Sequence, residues 1–248
     1  MKLEPPFHPA GDHIAVELPG ARALFTTRRG GVSTGPYASL NLGLWTDDEA
    51  ANVHENRDRL AALVGVERGR FAQGRQVHGG EVRALDAPPD PDDEPAPADG
   101  QATSVAGVAP VVTVADCLPI ALAAPGAVAM LHAGWRGLAG GVVEAGVRAV
   151  RELGGEGDIV AAVGPGAGGC CYEVGEEVHA AFAAHGDAVR RGRNIDLKAV
   201  AAREFGAAGV AAVHDVGICT MCADPELFYS HRRDGGITGR QVGVAWRA

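Results

Sequence analysis

A net charge of −9 over 248 residues excludes a general nucleic-acid binder, which needs a basic face to displace counterions from phosphate. No apolar run approaches the ~20 residues that cross a bilayer, and the opening Met1-Lys2-Leu3-Glu4-Pro5-Pro6 lacks the apolar stretch of a secretory signal; the expectation is a cytoplasmic protein with no membrane partner. Hydrophobic residues at 46% and charged residues at 21% suit a globular enzyme, and five cysteines, an odd and sparse set, point to thiols instead of a disulfide framework.

In chain order, the apolar patterns predict a strand over 23–27 and a helix over 48–64. Strands over 111–115, 119–124 and 127–131, a helix over 138–153 and a strand over 159–163 follow. Helices over 175–184 and 198–205 and a strand over 210–213 complete the series. Residues 86–99 are all Asp, Glu, Pro and Ala and read as an exposed acidic Pro-rich loop. Some strands adjoin without a helix between them. Residues 1–248 therefore read as one α/β (α+β) domain, layered mixed β-sheets flanked by helices.

A turn at Pro125-Gly126 pairs Ala124 with Ala127 and, counting back, Pro119 with His132. Side chains alternate along a strand, so Cys117 shares the face of Pro119. Cys117 and His132 become diagonal neighbours roughly 7–8 Å apart.

That pair matters because of its chemistry. Cys117 stands in Ala115-Asp116-Cys117-Leu118-Pro119, His132 in His132-Ala133-Gly134-Trp135-Arg136-Gly137, and a further histidine, His78, in Gln76-Val77-His78-Gly79. Imidazole and thiolate are natural ligands of Zn²⁺ or copper, and three protein ligands leave a fourth position open, as in a catalytic site. Taken singly, each is more often a core or surface side chain.

Other motifs are less specific. Gly164-Pro165-Gly166-Ala167-Gly168-Gly169 satisfies G-x-G-x-x-G, but no apolar strand ending in an acidic residue follows it. It reads as a turn bordering the site, with N–H groups available to an anion. Cys219-Thr220-Met221-Cys222 with Cys170-Cys171 could supply two halves of a zinc site. Vicinal cysteines chelate poorly, so structural thiols are expected. His214 and His231 carry no assigned role, and Arg232-Arg233-Asp234 is either a salt-bridged turn or a neighbour of phosphate.

Together with Phe25-Thr26-Thr27-Arg28, Gly30-Gly31-Val32-Ser33, Ser39-Leu40-Asn41-Leu42-Gly43, Tyr172-Glu173-Val174 and Phe228-Tyr229-Ser230-His231-Arg232-Arg233-Asp234, these motifs resemble the bacterial laccase-like family, also called multicopper polyphenol oxidoreductase or peptidoglycan editing factor. Its members are described as purine nucleoside phosphorylases with adenosine deaminase activity. The resemblance runs from about residue 20 to the C-terminus. It implies a fold shared with a Cys/His deamidase toxin and a metal, zinc or alternatively copper, on His78, Cys117 and His132. It also implies action on purine nucleosides (adenosine, inosine, methylthioadenosine) and phosphate; a monomer is expected. Zn²⁺ lowers the pKa of bound water from 15.7 to about 7, which suits attack on adenine. Phosphorolysis needs cations, and Arg28 and Arg136 are the candidates, since guanidinium pairs bidentately with phosphate. Arg28 joins the three ligands as a catalytic candidate, with Asn41 and Gln76 as further partners for sugar or base. Two stretches depart from the family pattern: Gly100-Gln101-Ala102-Thr103 replaces a more apolar run, and Leu44-Trp45-Thr46 a histidine-containing step.

Two other chemistries use the same residues. A copper polyphenol oxidase would take His78, Cys117 and His132 with Met130 as a weak ligand, although nine histidines with no His-x-His pair disfavour a multicopper laccase. A Cys-nucleophile hydrolase acting on a peptidoglycan precursor would use Cys117 for attack and His132 as base.

Overall fold

The computed structural model describes residues 2–90 and 92–247. Met1, Ala248 and Pro91, the last within the acidic loop, lie outside the described residues. The first strands are β1 (His8–Ala10), β2 (His13–Leu18), β3 (Ala21–Phe25), β4 (Phe71–Ala72), β5 (Val82–Leu85), β6 (Gly100–Thr103) and β7 (Ala109–Val114). They are followed by β8 (Leu118–Ala124), β9 (Ala127–Ala133), β10 (Val160–Val163), β11 (Arg190–Arg191), β12 (Asn194–Ile195), β13 (Ala212–Asp215) and β14 (Gln241–Arg247). One six-stranded sheet has the order β1-β2-β3-β14-β7-β4, a second β13-β10-β8-β9-β6-β5, and β11 and β12 form a small ribbon. Both six-stranded sheets are mixed: β4 runs parallel to β7, and β10 to β13, while their central pairs are antiparallel.

Alternation along the strands explains the layering. Leu118, Ile120, Leu122 and Leu131 face the helices Val142–Glu152 and Leu197–Ala207, meeting Val143, Val150, Val200 and Phe205 in one core. The opposite side chains, Ala121, Ala123, Val128 and Met130, meet Ile14, Phe25, Val112 and Val114 of the other sheet. That sheet's outer face, Leu24, Val111, Val242 and Val244, is covered by Leu60 and Val64 of a helix spanning Ala50–Val64. The order of layers is helix, sheet, sheet, helix. Each large aliphatic side chain fully buried here contributes on the order of 2 kcal/mol. Small residues let the sheets approach: a Cβ on Gly243 would lie 2.7 Å from Pro119 Cβ and 2.9 Å from Met130 Sδ.

Three expectations need correction. The helix expected over 138–153 is two helices, Trp135–Ala139 and Val142–Glu152, because Gly141 adopts φ 79° and breaks the ladder. Residues 100–103, noted only as a departure from the family pattern and absent from the expected strands, form the buried β6. The acidic loop does not stay exposed to its end: Ala98 and Asp99 are both 0% exposed. Arg75 N–H donates to Ala96 O and Ala98 N–H to Arg75 O, drawing the chain inward.

Candidate active site

The hairpin β8–β9 delivers two of the three candidate ligands. Its register pairs Pro119 with His132, as the Pro125-Gly126 turn predicts, so Cys117, just before β8, and His132 share the inter-sheet face at one end of the hairpin. His78 arrives from the connection between β4 and β5. One ligand atom from each of His78, Cys117 and His132 lies within 4.8 Å of the others, and the two imidazoles meet edge-on with centroids 4.8 Å apart. Gly134 makes room: a Cβ there would sit 2.9 Å from Cys117 Sγ and 3.4 Å from His78 Cδ2.

Asp99 ties the group together. Its Oδ1 lies 2.7 Å from His132 Nδ1, and its two oxygens accept the N–H groups of Val77 (3.1 Å), His78 (2.9 Å) and Gly79 (2.7 Å). Burial disfavours its charge, yet the His132 hydrogen bond and the Gly79 and Val77 N–H groups hold this carboxyl below its usual range. Burial would also push the Cys117 thiol up, but the charge and hydrogen bond of His132, reinforced by His78, bring it down to about 6. His132 is raised against its burial to about 9 by the Cys117 thiolate and Asp99. Each of the two side chains thus favours the charged form of the other.

Backbone strain is concentrated here. Among the described residues, the non-glycine residues with positive φ are His78 (60°) and Asp116 (94°), a conformation that costs such residues on the order of 1–3 kcal/mol. The Asp99 carboxylate holds the first. Asp116 is held by Thr220 Oγ1–H (2.7 Å) and the Arg232 N–H (2.8 Å), and its geometry sets the direction of Cys117.

The trio lines a cleft of about 340 Å³ whose wall also includes Trp45, Gln76, Trp135, Arg136, Tyr172, His231, Arg232 and Arg240. Arg136 stacks on Trp135 (4.3 Å) and Arg232 on Tyr172 (5.2 Å). Among the described residues the Arg136 guanidinium has no hydrogen-bond or ion-pair partner.

The other candidates are placed differently from expectation. Arg28 does not line the cleft; its guanidinium donates to Ala38 O and Pro225 O and stacks on Tyr229. Asn41 is 0% exposed; it donates to Thr46 and Asp48 and accepts the Gly43 and Arg240 N–H groups. It organises the wall without touching its space. Gln76 reaches the cleft, but its amide is engaged by Thr113, accepting the N–H at 2.8 Å and donating to the carbonyl at 2.8 Å. The 164–169 turn abuts Asp116, and four of its N–H groups are engaged within the protein: Gly164 to Pro119 O, Gly166 to Ile218 O, Ala167 to Asp116 O and Gly168 to Cys219 Sγ. In Arg232-Arg233-Asp234 the two roles divide. Arg233 pairs with Asp234 at 2.7 Å and Arg232 faces the cleft.

Sequence reasoning missed Asp99, Asp116, Tyr172 and Arg240. The departure noted at Leu44-Trp45-Thr46 is itself cleft wall, with Trp45 55% exposed. That alone was a usable signal.

Two mixed sheets closing on a His/Cys/His cluster define a layered α/β protein with a candidate metal centre. The chain belongs to the multi-copper polyphenol oxidoreductase laccase family, whose model matches residues 22–248. It is 42% identical over 228 residues to a purine nucleoside phosphorylase of Deinococcus radiodurans, covering 89% of this chain and 87% of the relative. A purine nucleoside phosphorylase of Streptomyces coelicolor is 41% identical over 244 residues, covering 92% and 96%. The crystal structure of YlmD from Geobacillus stearothermophilus matches with a TM-score of 0.89 at 35% identity, covering 97% of each chain.

Proposed function

We propose that this chain is a zinc-dependent purine nucleoside phosphorylase acting on adenosine, inosine and methylthioadenosine, with adenosine deaminase activity in the same cleft. The names of its relatives support the reaction class. The observation that carries the reading is the gathering of Arg136, Arg232 and Arg240 beside the ligand trio in a chain of net charge −9. Such local cations are what a phosphate co-substrate needs.

The trio fits the metal. Asp99 occupies His132 Nδ1, leaving Nε2 for a ligand, the way a carboxylate orients a metal-binding imidazole. Cys117 is already in its thiolate range. Bound there, Zn²⁺ supplies Lewis acidity toward an oxygen of the reacting partner. In phosphorolysis a phosphate oxygen forms a bond to C1′ as the C1′–N bond breaks. The electron pair leaves with the purine, which takes up a proton. Arg136, the unengaged cation, holds the phosphate with Arg232 and Arg240 behind it. Trp45 and Tyr172 offer aromatic faces to the base. All three ligands come from one chain, so the site is complete in a monomer, and free thiols at every cysteine fit a reducing cytoplasm. No helix among the described residues is long and apolar enough to cross a membrane.

Base release from inosine should require both phosphate and bound metal; phosphate-independent turnover would defeat this reading. A second reading has one observation in its favour: Cys117, His132 and Asp99 form the nucleophile, base and orienting carboxylate of a cysteine hydrolase, here acting on a peptidoglycan precursor. Activity in chelated protein, abolished by alkylating Cys117, would select it. Copper polyphenol oxidation is the weakest of the three, because Met130 packs between the sheets against Gly243 and does not line the cleft.

A further inference from the structure

Four of the five cysteines stand away from the cleft, on two loops that meet. Cys170 and Cys171 follow the 164–169 turn, and Cys219 and Cys222 follow β13. Vicinal cysteines read as poor chelators in the sequence, yet here a turn closed by the Cys171 and Tyr172 N–H groups on Gly168 O, each at 3.0 Å, brings both into one cluster. The four sulfurs all lie within 4.8 Å of one another, and Cys170 Sγ and Cys222 Sγ are 3.6 Å apart. A zinc tetrathiolate with bonds of about 2.3 Å needs sulfurs roughly 3.8 Å apart, so the cluster needs little contraction to close on an ion. A disulfide would require an approach to about 2.05 Å, and every cysteine is a free thiol.

A second observation concerns charge. Cys219 Sγ accepts the Gly168 N–H at 3.2 Å. A neutral thiol is a weak acceptor, whereas a metal-bound thiolate takes such donors readily, and they spread its charge. The Gly168 N–H is thus placed to support a metal-bound Cys219 sulfur.

We propose that Cys170, Cys171, Cys219 and Cys222 form a second metal site, a closed tetrathiolate that takes Zn²⁺ for structure. Binding exchanges four S–H bonds for four Zn–S bonds and releases four protons. No position stays open for substrate. The ion would staple the loop that carries Tyr172 into the cleft wall to the loop whose Thr220 holds Asp116 beside Cys117. The site is independent of the phosphorylase reading.

The test is zinc content by mass spectrometry in protein purified without chelator, using a Cys117→Ala/His132→Ala variant to remove the first site. This variant should retain one equivalent per chain, and adding Cys219→Ser and Cys222→Ser should eliminate it. Because the serine variant could misfold, a second measurement uses Cys117→Ala/His132→Ala with its four remaining thiols intact. Those thiols should resist a thiol reagent until a chelator is added. After metal depletion, Co²⁺ should give the strong sulfur-to-metal charge-transfer bands of a tetrathiolate. Zinc-free protein, four immediately reactive thiols, or a mass deficit showing disulfides would each overturn the proposal. Wild-type protein that retains this zinc yet releases no base from inosine and phosphate would count against the proposed function alone.

Discussion

Asp99 and His132 meet at 2.7 Å, and the same carboxylate receives the backbone of His78, so one buried side chain orients both candidate histidine ligands. Asp99→Asn keeps the shape and removes the charge. Zinc affinity should fall about 10- to 100-fold, as for other orienting partners of metal ligands, and phosphorolysis with it. The pH dependence has a definite sign. A depressed carboxyl pKa contributes stability that is present above its unfolded value of about 3.9 and lost as pH falls through the folded value. The Tm gap between wild type and Asp99→Asn should therefore be largest near neutrality and narrow in acid; a constant gap would show that the charge does not matter.

Metal-free protein offers a direct reading of Cys117. Its thiol, lowered to about 6, should be alkylated by iodoacetamide at a rate that rises as pH increases through about 6 and then levels. In His132→Gln the midpoint should move up toward the ordinary thiol value of about 8.5. Peptide mass spectrometry at Cys117 checks both, and a wild-type midpoint already near the ordinary value would contradict the ion pair.

Arg136 and Arg28 should separate cleanly in kinetics. Arg136→Ala removes an unengaged cation from the cleft and should raise the KM for phosphate about tenfold or more, consistent with a charged hydrogen bond of about 1.5–3 kcal/mol. Arg28→Ala breaks the contacts to Ala38 O and Pro225 O, so its effect should appear as a lower Tm, with the phosphate KM little changed. Steady-state kinetics and thermal melts on the two variants decide the matter.

Trp45 is over half exposed at the cleft. If the purine stacks on it, Trp45→Ala should raise the nucleoside KM about 5- to 100-fold, the equivalent of the roughly 1–3 kcal/mol typical of base stacking, and leave the phosphate KM alone. Equal changes in both would point to a general disturbance of the loop.

The hairpin was legible because a two-residue turn dictates register, and register dictates which side chains share a face. Asp99 was hidden for the opposite reason: an Asp at the end of an acidic, Pro-rich run looks solvated, and only tertiary hydrogen bonds reveal that it is buried. Arg28 and Asn41 show that a polar residue in a distinctive motif can point inward to carbonyls and loop amides as readily as outward to a ligand. Arg240 lies just before β14, nearly two hundred positions from Asn41, whose side-chain Oδ1 receives its N–H, a proximity no local pattern encodes. Adjacent Cys170 and Cys171 read as poor chelators by their covalent geometry, and the turn that brings both into one cluster is closed by tertiary structure that no local pattern encodes.

The three candidate ligands are anchored unequally. Cys117 and His132 ride on a hairpin sandwiched between a helical layer and a second sheet, whereas His78 sits exposed on a connecting segment. An ion leaving this centre would part first from His78, which can swing toward solvent while the other two remain fixed.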